Sequence, residues 1–208
     1  MEAAELASVL EFLELKDERR TGWQLRDVDE PESVAGHTWG TATLCLLYAD
    51  HEAVDDAVDR QRAVEMALVH DLAEARTGDV PTRAGQGRDR ISEAEKERTE
   101  REAIDDLLAP FGLESQLRSR WAEYEARETP TACFVKDVDL LENCLQALKY
   151  EREGRYETDG TNEHFEEYDG LDEFFATAAP RLRTAFGKAA FERIKSAYER
   201  EIGRECQL

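Results

Sequence analysis

The sequence predicts an all-α protein, folded as a compact helical bundle, and three observations lead there. Apolar residues recur at three- and four-residue spacing along most of the chain, no period-2 alternation lasts long enough for a strand, and Pro, Gly and capping residues mark helix ends. No internal repeat is evident. At 208 residues the chain fits one domain with a sizeable core. The expected division is a single domain over 1–208, its core over about 5–155 and its C-terminal helices over about 165–205.

Taken in order, Leu6, Val9, Leu10 and Leu13 give a first amphipathic helix. A polar segment from about Lys16 to Gly36 follows, with Gly22 and Pro31 as breakers. The second helix runs from His37 to Ala49 and is apolar over Leu44, Cys45, Leu46 and Leu47. The third runs from about Asp56 to Ala75 and carries His70 and Asp71 near its C-terminal end. A turn at Thr77–Pro81 and a Gly-rich loop through Gly87 come next. Ser92 with Glu95 then makes a capping box for a long charged helix that ends before Pro110. Leu117, Trp121 and Tyr124 mark a shorter helix. Thr129-Pro130 opens the helix carrying Val135, Asp137, Leu140, Leu141, Cys144, Leu145 and Leu148. After a polar loop around Thr158 to Asn162, two C-terminal helices close the chain.

Composition narrows the function. The net charge of −21 leaves no basic patch to neutralise phosphates, so nucleic acid is excluded as a large-surface partner. No stretch approaches the ~18 apolar residues of a membrane span. The acidic N-terminus lacks the positive region of a secretory signal. Cys45, Cys133 and Cys144 sit in apolar helical patterns and read as buried free thiols of a reducing cytoplasm. Acids spread along the whole chain, with lysine only at 16, 96, 136, 149, 188 and 195, suit a halophilic protein. In molar salt the Debye length falls to ~3 Å and self-repulsion is screened. An ordinary acidic soluble protein is the rival reading.

The chemistry gathers at His70-Asp71, which ends the apolar run Ala63–Val69. Burying that pair without partners would cost several kcal/mol, and a divalent cation is the cheapest compensation. Imidazole nitrogen and carboxylate oxygen suit the first-row metals from manganese to zinc. If His37 and Asp137 converge with them, three segments supply four ligands and leave positions for water and substrate, a hydrolase's equipment. Glu74, one turn beyond His70, is then placed to handle a water or leaving-group proton. Trp23 either stacks on a base or plugs the core. Trp39 is expected in the core, and His51 and His164 on the surface.

The order His37…His70-Asp71…Asp137 on helices resembles the HD-domain metal-dependent phosphohydrolase superfamily. Three stretches resemble its 5′-deoxynucleotidase branch more narrowly: Pro31–His37, His70–Pro81 with its HDxxE and TGDxP elements, and Phe134–Glu142. The similarity covers roughly residues 5–155. It implies an HD-domain helical bundle that removes phosphate from (deoxy)nucleoside 5′-monophosphates, commonly as a homodimer. By the resemblance His37, His70, Asp71 and Asp137 hold one divalent transition metal (Mn, Co, Fe, Ni or Zn), and Glu74 is the acid/base. Asp79 belongs to the substrate pocket, and Trp23, Arg26 and Glu123 fall near it. Gly22 replaces the Arg that commonly precedes the Trp, and Arg20 is the substitute. Two-metal relatives generally need further histidines between Asp71 and Asp137, where this chain has none. The alternatives are hydrolysis of a triphosphate, a cyclic nucleotide or guanosine tetraphosphate, or a non-catalytic metal- or nucleotide-binding module.

Overall fold

The computed structural model describes residues 1–81, 84, 93–112, 114–157 and 167–208. Among them the chain forms α1 (Ala3–Glu14), α2 (Thr21–Leu25), α3 (Val34–Tyr48), α4 (Arg60–Val69), α5 (Glu74–Thr77), α6 (Glu93–Leu108), α7 (Glu114–Ala126), α8 (Pro130–Glu153), α9 (Asp172–Ala178) and α10 (Ala185–Ile202). A 3₁₀ turn, Ala179–Arg181, joins the last two. The described residues hold no strand, only an isolated antiparallel bridge between Arg19 and Ser33.

Local chemistry sets the helix ends. Ser33, Asp59, Thr129 and Thr184 each stand one residue before a helix and accept the backbone N–H of Gly36, Arg62, Ala132 and Gly187. Pro130 occupies the first turn of α8, where its missing N–H costs nothing. Gly154 and Gly203 end α8 and α10 with φ of +60° and +68°, a conformation that penalises any side chain with a Cβ.

α8 is the spine, packed by α3, α4 and α7 on one side and by α9 and α10 on the other. The main core gathers Trp23, Met66, Phe134, Val138, Cys144, Tyr150, Phe175 and Tyr198. A smaller cluster of Val69, Ala73, Ile104, Leu108 and Trp121 seals α6 and α7 onto the end of α4. Because α8 is covered on both sides, residues two positions apart, about 200° around its axis, serve different neighbours.

Several expectations change. The third helix begins at Arg60, after its Asp59 cap, and breaks over 70–73 before α5. The polar segment before α3 contains the short helix α2. Trp39 is 71% exposed instead of in the core: His37 faces inward, and two residues on the side chain points the opposite way. Leu6, Leu10 and Leu13 of α1 are also exposed. Cys45 and Cys144 are buried free thiols, Cys133 is half-buried, and His51 is exposed just past α3. Ser92, Gly87, His164 and the 158–162 loop lie outside the described residues.

Candidate metal centre

α3 and α4 run antiparallel, so His37 in the first turn of α3 meets His70 at the end of α4, ring centroids 5.5 Å apart. Each imidazole is fixed through Nδ1. His70 Nδ1 lies 2.7 Å from the Ala67 carbonyl oxygen, an acceptor, so this nitrogen carries the proton. His37 Nδ1 lies 2.5 Å from Glu142 Oε2, which orients the ring as an outer carboxylate orients a ligand histidine. Glu142 gets this close because Gly40 faces it: a Cβ there would sit 2.6 Å from Glu142 Oε1. Both Nε2 atoms therefore present lone pairs to one space.

Carboxylates face those lone pairs. Asp139 Oδ1 lies 3.0 Å from His37 Nε2, and Asp71 Oδ2 lies 3.1 Å from His70 Nε2 and 3.8 Å from His37 Nε2. His37, His70 and Asp139 offer ligand atoms all within 4.8 Å of one another. His37 Nε2, His70 Nε2 and Asp71 Oδ2 are buried without a hydrogen-bond partner. Acceptors this close repel unless a cation lies between them, so the donor set fits a divalent ion. The same charges compete for a proton that a bound metal would displace. Burial and Arg20 push the His37 imidazole toward neutrality, but Glu142 and Asp139 outweigh them and hold it well above its ordinary value. Burial pushes the Asp139 carboxyl up, yet Lys136, His37 and His70 hold it well below the carboxylate range. Asp71 follows the same pattern through His70, His37 and Arg20.

Tyr124 and Lys136 secure the far oxygen of Asp139. The Tyr124 hydroxyl donates to Oδ2 at 2.6 Å, and Lys136 Nζ lies 3.1 Å from Oδ2 and 2.7 Å from the Tyr124 oxygen. Oδ1 alone is left for the cluster. Glu74 is buried, and its Oε2 has no hydrogen-bond partner. Burial first, then the charges of Asp71 and Asp79, raise its carboxyl well above the ordinary value, which favours its protonated form. Arg20 sits at the rim: Nη1 bonds Asp79 Oδ1 at 3.2 Å and lies 3.5 Å from Asp71 Oδ2, while Nη2 bonds Asn143. Asp79 also takes the Thr21 N–H at 2.5 Å, so it fixes both α2 and Arg20.

Of the expected site residues, the structure brings His37, His70, Asp71, Glu74, Arg20 and Asp79 together, and separates Asp137, Trp23, Arg26 and Glu123 from them. Asp137 faces the other side of α8, where it accepts the N–H of Arg183 and Thr184, the Thr184 hydroxyl and Arg127 Nη2 at 2.6–3.1 Å. It anchors the start of α10, and Gly187 leaves it room. Trp23 is the core plug, stacked on Phe174 at 3.8 Å and edge-on to Tyr150, with Nε1 donating to Glu32. Arg26 is buried among Tyr156, Tyr198, Glu173 and Asp169, none of them in the cluster. Glu123 ties Arg62 of α4 to the Thr129 cap. Sequence reasoning missed Asp139, Glu142, Tyr124 and Lys136. The available signal was a polar row at three- and four-residue spacing through an otherwise apolar helix: Lys136, Asp139, Glu142 and Asn143.

A family model for the HD domain matches residues 12–183. The 5′-deoxynucleotidase HDDC2 of Homo sapiens is 39% identical over 150 residues, covering 69% of this chain and 69% of that protein. The 5′-deoxynucleotidase hdd1 of Schizosaccharomyces pombe is 35% identical over 169 residues, with 76% and 80% coverage. Among solved structures, the PH0347 protein from Pyrococcus horikoshii superposes with a TM-score of 0.68 at 28% identity, covering 93% of this chain and 98% of that one. A predicted metal-dependent phosphohydrolase from Magnetospirillum magnetotacticum gives 0.67 at 26% identity, with 98% and 95% coverage.

Proposed function

Because the chain belongs to the HD domain family, we propose that it is a metal-dependent phosphohydrolase removing phosphate from deoxynucleoside 5′-monophosphates. The carrying observation is the convergence of unpartnered His37 Nε2, His70 Nε2 and Asp71 Oδ2 with Asp139, beside the buried Glu74 carboxyl and a fixed Arg20. His37, His70, Asp71 and Asp139 would hold one divalent ion, with manganese, cobalt, iron, nickel and zinc all suited to the donors. When bound, the ion supplies Lewis-acid polarisation of the phosphate and of water. A single ion is favoured, since Glu142 already engages the other nitrogen of His37.

The remaining steps belong to the chain's own groups. As a water attacks the phosphorus, Glu74, whose burial favours the protonated form, donates a proton to the departing 5′ oxygen, so the nucleoside leaves as an alcohol. Arg20, pinned by Asp79 and Asn143, offers a preorganised cation to the phosphate without ordering cost at the moment of reaction. Asp79 acts through Arg20 as a positioning residue. The strongly acidic surface repels a dianionic substrate, and the halophilic reading resolves this, because salt screens the surface while the buried site keeps its field. The protein works in the cytoplasm as a homodimer, with residues 1–208 as one domain through the packing of α10 on α8. Among the described residues no helix is long and apolar enough to cross a membrane.

The test is phosphate release from deoxy- and ribonucleoside 5′-monophosphates in high salt, after chelation and re-addition of single metals. Metal-dependent release from the deoxy compounds, lost in Glu74→Gln with metal still bound, is the expected result. Metal binding with no release from any monophosphate would overturn the reading and point to triphosphates, cyclic nucleotides or a binding role.

A further inference from the structure

From Ser33 to Ala49 the chain has no Asp, Glu, Lys or Arg, although 36% of all its residues are charged. The inner face of α3 accounts for part of this, with His37, Thr41 and Cys45 buried. The outer face does not follow the same logic. Trp39 is 71% exposed, Leu46 57% and Leu47 66%, and these side chains fall within about 100° of arc. Because α4 runs antiparallel beside α3, its exposed Leu68 lies level with Trp39. At the other end, Leu46 and Val64 border a hollow of about 510 Å³, whose lining includes Asp50, Asp59, Arg60 and Glu65. Those groups are already engaged: Asp50 with Arg60, Glu65 with Arg120, and Asp59 with the Arg62 N–H as the cap of α4.

We infer that this outer face of α3 is the surface on which a second copy of the chain docks. A basic partner would be drawn to the acids that cover the rest of the molecule, and α3 itself offers it none. A copy of a chain carrying −21 faces the opposite constraint: it can approach only through a patch where like charges do not meet. The stripe is also self-complementary under a two-fold axis. Trp39 and Leu46 are seven residues apart, about 10.5 Å along the helix. Two α3 helices crossing antiparallel near Thr43 therefore set Trp39 of each copy on Leu46 and the hollow of the other. A large aromatic filling a pocket is the usual energetic anchor of an interface. This inference rests on the homodimer proposed above and gives it a face.

Sedimentation velocity of the full chain over a concentration series in molar KCl tests both. The wild type should sediment as a dimer. Leu47→Glu and Trp39→Ser should each weaken association by about thirtyfold or more, with helical content and metal stoichiometry unchanged. Leu10→Glu, on the exposed stripe of α1, should leave the dimer intact. Trp23 and Trp121 are buried, so emission should shift to the red on dilution as Trp39 re-enters water. A dimer that survives both α3 substitutions, or breaks on Leu10→Glu instead, overturns the assigned face while the homodimer stands. A wild type that is monomeric at every concentration overturns both.

Discussion

At the scale of single residues, the cluster is held in place from behind. Tyr124 and Lys136 occupy one oxygen of Asp139, leaving the other to face His37. Groups that orient a ligand in this way typically account for ten- to hundredfold in metal affinity. Tyr124→Phe should therefore weaken the dissociation constant measured by titration calorimetry by about that factor, with the fold retained; unchanged affinity would deny Tyr124 this role. Glu32, which accepts the Trp23 N–H and lies near Glu142, carries a second signature. Burial, then the Glu142 charge, raise its carboxyl to about 7. The folded state thus binds this proton more tightly than the unfolded chain, whose Glu titrates at about 4.3. Its contribution to stability is complete below pH about 4.3 and is lost as pH rises through 7. In chelated protein the stability of wild type relative to Glu32→Gln should fall by about 1–3 kcal/mol between pH 4.5 and 7.5. A difference that stays flat across that window contradicts the assignment.

At the scale of elements, α8 decides the architecture because it is packed on both sides. Its start is a joint: the Thr129 hydroxyl takes the Ala132 N–H at 3.1 Å and donates to Glu123, which in turn holds Arg62 of α4. Thr129→Ala should cost about 1–2 kcal/mol and lower the melting temperature by about 5 °C, with one metal still bound per chain. Most helices were legible in the sequence because a cap and a 3.6-residue period agree, as at Thr129-Pro130 and its run of Val135, Leu141 and Cys144. The break at His70 was not, since it depends on the His70 ring bonding back to Ala67 and on α6 and α7 closing over the turn. Nor was the orientation of Trp39, because an apolar residue on a helix does not say which side has a neighbour. His37, His70 and Asp71 were readable from residue type and order. Asp139 was not, because Lys136-Asp137-Val138-Asp139 offers two carboxylates on opposite faces, and packing alone decides which one meets α3 and α4.

At the scale of the whole molecule, a chain with net charge −21 must fold and admit an anionic substrate against its own field. Raising salt from about 0.1 M to 1 M shortens the Debye length from ~10 Å to ~3 Å. The melting temperature should therefore rise and KM for a monophosphate should fall over that range. A protein whose KM rises with salt would rely on attraction that this surface does not offer. One face of α8 carries Asp139, proposed for the metal, and the other anchors the fold through Asp137. Metal stoichiometry and melting temperature of Asp139→Asn and Asp137→Asn, measured side by side, test this division most directly. Asp139→Asn should lose tight metal binding and stay folded. Asp137→Asn should keep its metal but lose about 3 kcal/mol, having left the N–H groups at the start of α10 and Arg127 without their charged acceptor. Loss of the metal from Asp137→Asn at unchanged stability, with Asp139→Asn still binding, would contradict it.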